Sequence, residues 1–223
     1  MPTNKRPLAD FVSLGQEILR CDWTAHYGKD ASRVAPSPPA LAYAQPGFLG
    51  GDYTGLVVVG QNPGVGADAF WEKRHRVWDP LLRAWRDEGT VSAYADFHRT
   101  WQTGDLPYWT VWWKWVEPVL SRISLNENHV AYLNLVKNQT SENRPPTVGM
   151  YDADWMFTRR QLDVLNPKVV IAGGLAVERQ IRKHWPDAPF RLVSQNRIRS
   201  QSEGDAQRQA AGIAAEVAAA LGL

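Results

Sequence analysis

Leu56-Val57-Val58-Val59-Gly60-Gln61-Asn62-Pro63-Gly64 is the stretch on which the fold reading turns. Four consecutive apolar residues without polar alternation fit a strand buried on both faces, as in parallel sheets covered by helices. Three later runs share this character: VAYLNLV at 130–136, KVVIA at 168–172 and FRLV at 190–193. Between the runs lie helix-spaced stretches at 71–88, 109–123, 151–165 and 175–184, and another follows at 204–221. Connections of that length cannot be hairpins, so the runs are expected to lie parallel. The expectation is an α/β protein, a three-layer α/β/α with a central, mainly four-stranded parallel sheet.

Working outward, residues 7–20 (PLADFVSLGQEILR) place Leu8, Phe11, Val12, Leu14, Ile18 and Leu19 at helical intervals, with Pro7 suited to a first turn. A Pro/Gly/Ala-rich stretch at 28–51 reads as an ordered loop. Residues 1–50 are therefore expected to form a helix-and-loop appendage, and 51–223 the main domain, the whole making one compact unit. No solenoid repeat is visible.

Composition narrows the class further. The chain has 223 residues, 44% apolar and 22% charged, with a net charge of +2. This is an ordinary globular balance, and whole-chain electrostatics do not announce a nucleic-acid binder. Cys21 is the single cysteine, which excludes an internal disulfide, a four-cysteine zinc site and an all-cysteine iron–sulfur cluster. His75, His98, His129 and His184 show no metal-ligand spacing, so neither metal nor cofactor is expected. The longest apolar runs are strand-sized, and the N-terminus lacks the apolar core of a signal peptide. A cytoplasmic monomer without membrane association is the expectation. Tryptophan is abundant at 11 residues; five of them (Trp101, Trp109, Trp112, Trp113 and Trp115) crowd one segment, where core packing and base stacking are both open readings.

In open parallel sheets, ligands bind beyond the carboxyl ends of the strands. Three of these ends are rich in polar residues: Gln61-Asn62 after the first run, Asn134, Lys137, Asn138, Asn143 and Arg144 within and after the second, and Ser194-Gln195-Asn196-Arg197-Ile198-Arg199 after the fourth. The loop at 60–66 is not a Walker A loop, since no Gly-Lys-Ser/Thr follows, and Pro63 breaks the dinucleotide fingerprint.

Strand-Gly60-Gln61-Asn62-Pro63-Gly64 resembles the first motif of the uracil-DNA glycosylase superfamily. The segment Val136-Lys137-Asn138, then Asn143-Arg144 and Pro146, is similar to the one following the second strand in the iron–sulfur members, with Asn138 where those carry a cluster cysteine. Pro167 to Gly173 resembles the third strand and its turn. The fourth segment departs: Ser194-Gln195-Asn196-Arg197 stands where most members have His-Pro-Ser. The resemblance spans roughly residues 55–215. It implies a monofunctional DNA glycosylase in which Asn62, with Gln61 beside it, positions the hydrolytic water and Asn134 reads the base.

Glycosidic cleavage requires a flipped-out base, a water held near C1′ and donors aimed at the departing base. Two neutral amides at 61 and 62 imply catalysis by positioning and slow turnover. Gly64 stands where uracil-strict members carry a tyrosine, so 5-substituted or hypermodified pyrimidines are expected to fit, including glucosylated cytosines of phage DNA in a defence role. Asn134 can read uracil or, with its amide reversed, cytosine; a buried strand asparagine tying loop backbone is the competing reading. Asn196 or Gln195 with Arg197 is expected to support the leaving group, and Phe70 or Trp71 to stack on the base. Ile198 is the expected wedge, with Lys137, Arg144, Arg197 and Arg199 as DNA contacts; a solvated turn is the other reading of 197–199. Residues 159–199 carry nine basic and three acidic side chains, the local excess a near-neutral DNA-binding enzyme needs. A catalytically inactive DNA- or nucleotide-binding relative, and a nucleotide-processing enzyme using the 60–66 loop, remain the alternatives.

Overall fold

The computed structural model describes residues 5–34, 44–63, 68–103, 116–195 and 203–223. The chain is an α/β protein of α/β/α layering, built on a five-stranded, mainly parallel sheet flanked by helices. The strands are β1 (Phe48–Leu49), β2 (Leu56–Gly60), β3 (Val130–Asn134), β4 (Val169–Ala172) and β5 (Arg191–Ser194), in the order β1-β3-β2-β4-β5. The helices are α1 (Lys5–Arg20), α2 (Trp23–Tyr27), α3 (Asp68–Glu88), α4 (Val91–Thr103), α5 (Val148–Leu165), α6 (Leu175–His184) and α7 (Glu203–Leu221), with a further helical turn over 116–120.

Two differences from the sequence reading have clear causes. The sheet has five strands rather than four: β1 runs antiparallel to β3, pairing Phe48 with Tyr132 and Leu49 with Ala131. At two residues it is too short to leave a periodic signature. Helix α4 was also not anticipated, because VSAYADFHRTWQT carries its buried Ala93, Tyr94 and Phe97 among polar residues in a short, weakly patterned helix.

The chain divides into two compact units that interleave along the sequence. One comprises residues 48–61, 110–133 and 166–223 and holds the sheet. Every residue of β2 and β4 is buried, and the register pairs Leu56 with Val169 through Val59 with Ala172. β4 continues in parallel register onto β5, from Val169–Arg191 to Ala172–Ser194. The edge strand β5 is half-exposed, and Arg191 pairs with Glu216 of α7 at 2.8 Å. Chain entry into the sheet is tight at Gly50, where a Cβ would lie 2.2 Å from the Asn128 carbonyl oxygen.

The other unit comprises residues 1–47, 62–109 and 134–165. Its core explains part of the tryptophan content. Trp78 and Trp85 of α3 are buried with Leu82, and the Trp85 indole donates to the Val12 carbonyl at 3.0 Å. Gly15 of α1 makes room for that ring, since a Cβ there would stand 2.1 Å from an indole carbon. Isolated antiparallel bridges join Val34 to Thr140 and Ala44 to Asn138. They tie the N-terminal segment to the chain emerging from β3.

Candidate functional site

β2 ends at Gly60, and the polypeptide turns through Gln61, Asn62 and Pro63. Asn62 is partly buried. Its Nδ2 donates to Thr140 Oγ1 at 3.1 Å and to the Pro63 carbonyl at 3.1 Å. Thr140 in turn donates to the Arg144 carbonyl. A hydroxyl that gives its proton to a carbonyl can only accept from Asn62, so the amide is held with its nitrogen inward. Oδ1 is then the end able to accept a hydrogen bond from a small polar molecule. In the sequence, Thr140 carries no distinguishing signal: it is a threonine six residues beyond Asn134.

The end of β3 introduces a buried polar cluster. Asn134 is 1% exposed, and its Nδ2 donates to Gln45 Oε1 at 2.8 Å. Lys137, three residues on, is fully buried. Its ammonium reaches three acceptors: the Asn134 carbonyl at 2.5 Å, Gln161 Oε1 at 2.7 Å and Thr158 Oγ1 at 2.9 Å. Its own carbonyl accepts from the Gln45 backbone N–H at 2.8 Å. Lys137 was expected among the DNA contacts, and this is corrected: its charge points into the protein, because Thr158 and Gln161 of α5 together with the Asn134 carbonyl supply an acceptor for every Nζ hydrogen. Burial pulls the Lys137 amine down to about 7, with the Asp154 charge opposing the shift.

Asp154 of α5 is the anionic centre beside this lysine. It is buried and accepts from Tyr27 Oη at 2.6 Å and the Lys137 backbone N–H at 2.6 Å, while His26 Nε2 lies 2.7 Å from its other oxygen. The hydrogen bond to Asp154, joined by one to Cys21, raises the His26 imidazole to about 9 against the pull of burial. Helix α2 delivers both partners. Asp22 caps it, accepting from the Thr24 and Ala25 N–H groups at 3.0 and 3.1 Å, and Trp23 stacks on Tyr27 with ring centroids 5.6 Å apart. His26 and Tyr27 fall in a stretch without catalytic spacing, and Asp154 sits at a buried helix position. Only folding reveals that they belong together.

The remaining candidates are distributed as follows. Gln61 is half-buried and Gln195 is 1% exposed; both belong to the unit that holds the sheet. Arg144 is exposed and paired with Glu142. Gly64, Asn196, Arg197, Ile198 and Arg199 lie outside the described residues, as do the side chains of Phe70 and Trp71 and the segment holding Trp109, Trp112, Trp113 and Trp115. The geometry thus gathers Asn62 with Thr140, and Asn134 with Gln45 and Lys137, within one unit.

Among the described residues, no group of three or more His, Cys, Asp or Glu side chains is arranged to hold a metal ion. No described helix is long and apolar enough to cross a membrane. What the arrangement offers chemically is a set of neutral amides with enforced orientation, suited to hydrogen-bonding a small polar group rather than to abstracting a proton. Comparison of the chain with known protein families and with curated proteins finds no match in either.

Proposed function

We propose that the chain is a monofunctional DNA glycosylase. It flips a pyrimidine out of the helix and hydrolyses its N-glycosidic bond, leaving an abasic site. The observation that carries this reading is the enforced polarity of Asn62 at the carboxyl end of a central strand: Nδ2 is committed to Thr140 and Pro63, and Oδ1 is left as the acceptor. An acceptor fixed in this way can hold a water by one hydrogen, aiming its oxygen lone pair at C1′ of an extruded nucleotide. A neutral amide does not take the proton. The C1′–N bond therefore breaks first, giving sugar cation and base anion; the water then adds to C1′ and its proton passes to the departed base or to solvent, without help from a protein base, which means slow turnover.

Asn134 supplies the second element. A carboxamide buried among polar groups and held by Gln45 reads a hydrogen-bonding edge at low entropic cost. The substrate class is uracil or a 5-substituted or hypermodified pyrimidine, with Gly64 removing the wall at C5 and glucosylated hydroxymethylcytosine of phage DNA as the bulkiest candidate. Asn196 or Gln195 with Arg197 supports the leaving base, Ile198 wedges the duplex, and Arg144, Arg197 and Arg199 bind phosphate. The protein acts as a monomer on DNA, without a cofactor, in the cytoplasm.

The test uses oligonucleotides carrying uracil, 5-hydroxymethyluracil, ethenocytosine or glucosylated hydroxymethylcytosine. Alkali-labile abasic sites are expected on at least one. Asn62→Ala is expected to slow single-turnover excision by about a hundredfold, the scale of losing one aligned polar group. Thr140→Val, which frees the Asn62 amide to rotate, should cost about tenfold. Binding without cleavage across the panel overturns the enzymatic reading in favour of an inactive DNA-binding relative.

A further inference from the structure

The relay that orients Asn62 ends on the main chain of Arg144: Asn62 Nδ2 donates to Thr140 Oγ1, and Thr140 donates to the Arg144 carbonyl. That main chain has little freedom. Arg144 is extended (φ −61°, ψ 146°), the conformation favoured before a proline, and Pro145 and Pro146 follow it. Its N–H donates to the Ser141 carbonyl at 3.0 Å. Ser141 is tied in turn through its hydroxyl to the Arg33 carbonyl at 3.2 Å, and Thr140 bridges to Val34. The Arg144 side chain is placed differently. Its guanidinium pairs with the Glu142 carboxylate, and the two side chains are 54% and 70% exposed, so either can swing away through solvent. Glu142 makes this pair from an uncommon backbone, φ 55° and ψ 25°, a left-handed position that glycine or asparagine occupies more easily. A residue kept in such a conformation at a candidate site points to a task for its side chain. Here the side chain buries little area, and what it does is hold Arg144.

We propose that Glu142 is a built-in competitor for DNA phosphate, occupying the Arg144 guanidinium until a backbone phosphate beside the extruded nucleotide displaces it. This inference rests on the glycosylase reading and deepens it. A carboxylate and a phosphate offer a guanidinium the same kind of oxygen acceptors, so one can replace the other. The exchange needs only side-chain rotation and leaves in place the main chain that steadies Asn62. Binding then trades one ion pair for another instead of making a pair from two solvated ions. The hold on phosphate is weakened by that trade, which suits a protein that must release each stretch of duplex without a target base. Glu142 touches no reacting atom and acts through Arg144.

The experiment measures the affinity of the full chain for a labelled duplex by fluorescence anisotropy, across a salt series and with a thermal melt of each protein. Glu142→Gln should tighten binding about threefold, the worth of an exposed ion pair expressed as a ratio of affinities. Arg144→Gln should weaken binding and reduce the salt slope by about one. In the Arg144→Gln background the gain from Glu142→Gln should vanish, because no guanidinium is left to release. A carboxylate that merely repels DNA through its charge would give the same gain in both backgrounds. Glu142→Asn, which suits the left-handed backbone and is also neutral, should reproduce the gain and guards against a disturbed turn in the Gln variant. Equal gains in the two backgrounds, or no gain from either folded Glu142 variant, overturns the inference. The glycosylase reading then stands as long as the wild type binds duplex and excises a base. A wild-type protein that neither binds duplex nor excises a base overturns the reading and this inference with it.

Discussion

The sheet and the cluster behind Asn134 are both buried, and they are buried by opposite means. In β2 and β4 nearly every side chain is hydrocarbon: Leu56, Val57, Val58, Val59, Val169, Val170, Ile171 and Ala172 are all fully inaccessible. In the other unit, Gln45, Asn134, Lys137, Asn138, Gln139, Thr140, Asp154, Thr158 and Gln161 are nearly or fully buried while carrying amides, hydroxyls and two charges. The first arrangement gains stability from area removed from water and tolerates exchange of one aliphatic group for another. The second gains little net stability, since each bond replaces one to water, but it fixes direction. A scaffold needs the former. A surface that must distinguish a donor from an acceptor needs the latter.

The sharpest way to break this comparison is at Asp154. Asp154→Ala removes the acceptor shared by His26, Tyr27 and the Lys137 backbone, leaving buried donors unpaired, and is expected to cost about 3–5 kcal/mol in urea unfolding. Leu56→Ala in β2 is expected to cost about 2–5 kcal/mol through its cavity. The distinguishing measurement is repetition across pH. The Leu56 penalty should stay constant, and the Asp154 penalty should change as the groups around it titrate.

The pH dependence itself can be worked out from two opposed shifts. His26 is raised from 6.5 to about 9, so its contribution is complete below 6.5 and is lost as pH rises through 9. Lys137 is lowered from 10.5 to about 7, so between those values the unfolded chain binds the extra proton and stability rises with pH. From about pH 7 to 9 the two slopes oppose, and the wild-type unfolding midpoint should be nearly level. Lys137→Met should expose a falling slope across that window, and His26→Gln a rising one. Burial also lowers His98 to about 4, which predicts a further decline as pH falls from 6.5 toward 4.

Smaller effects follow from packing and surface charge. Gly15→Ala should destabilise by about 1–3 kcal/mol, because the new methyl group meets the Trp85 ring directly. At the lower end, Arg182→Ala breaks an exposed pair with Glu178 and should shift stability by less than about 0.5 kcal/mol.

How much of this was legible in the sequence follows the same division. Uninterrupted runs such as LVVVG and KVVIA announce themselves, because hydrocarbon burial is local in composition and needs no partner to be recognised. The strand ends that carry Asn62 and Asn134 could be picked out for the same reason. Lys137 was misjudged because a lysine's ordinary place is the surface, and the acceptors that reverse this, Thr158 and Gln161, arrive on a helix more than twenty residues later. Gln45 lies in a Pro/Gly/Ala-rich stretch with no periodicity, and its burial beside Asn134 is a matter of what it faces. His26 and Asp154 are separated by 128 positions. Hydrogen-bonded burial depends on pairing, and pairing across such distances leaves no trace in the local pattern.

That same separation bears on how the molecule assembles. The Lys137 cluster draws on three stretches, at 45–46, 134–140 and 154–161, so its closure carries the loop entropy of the 89 positions that separate Gln45 from Asn134. Until all three meet, the ammonium keeps its water and the amides keep theirs, and little rewards a partial approach. Such contacts are expected to form after the folding barrier rather than on it, so weakening them should hasten unfolding while leaving the rate of folding nearly unchanged. The residues that give the candidate site its direction would then also set how long the native state persists once formed.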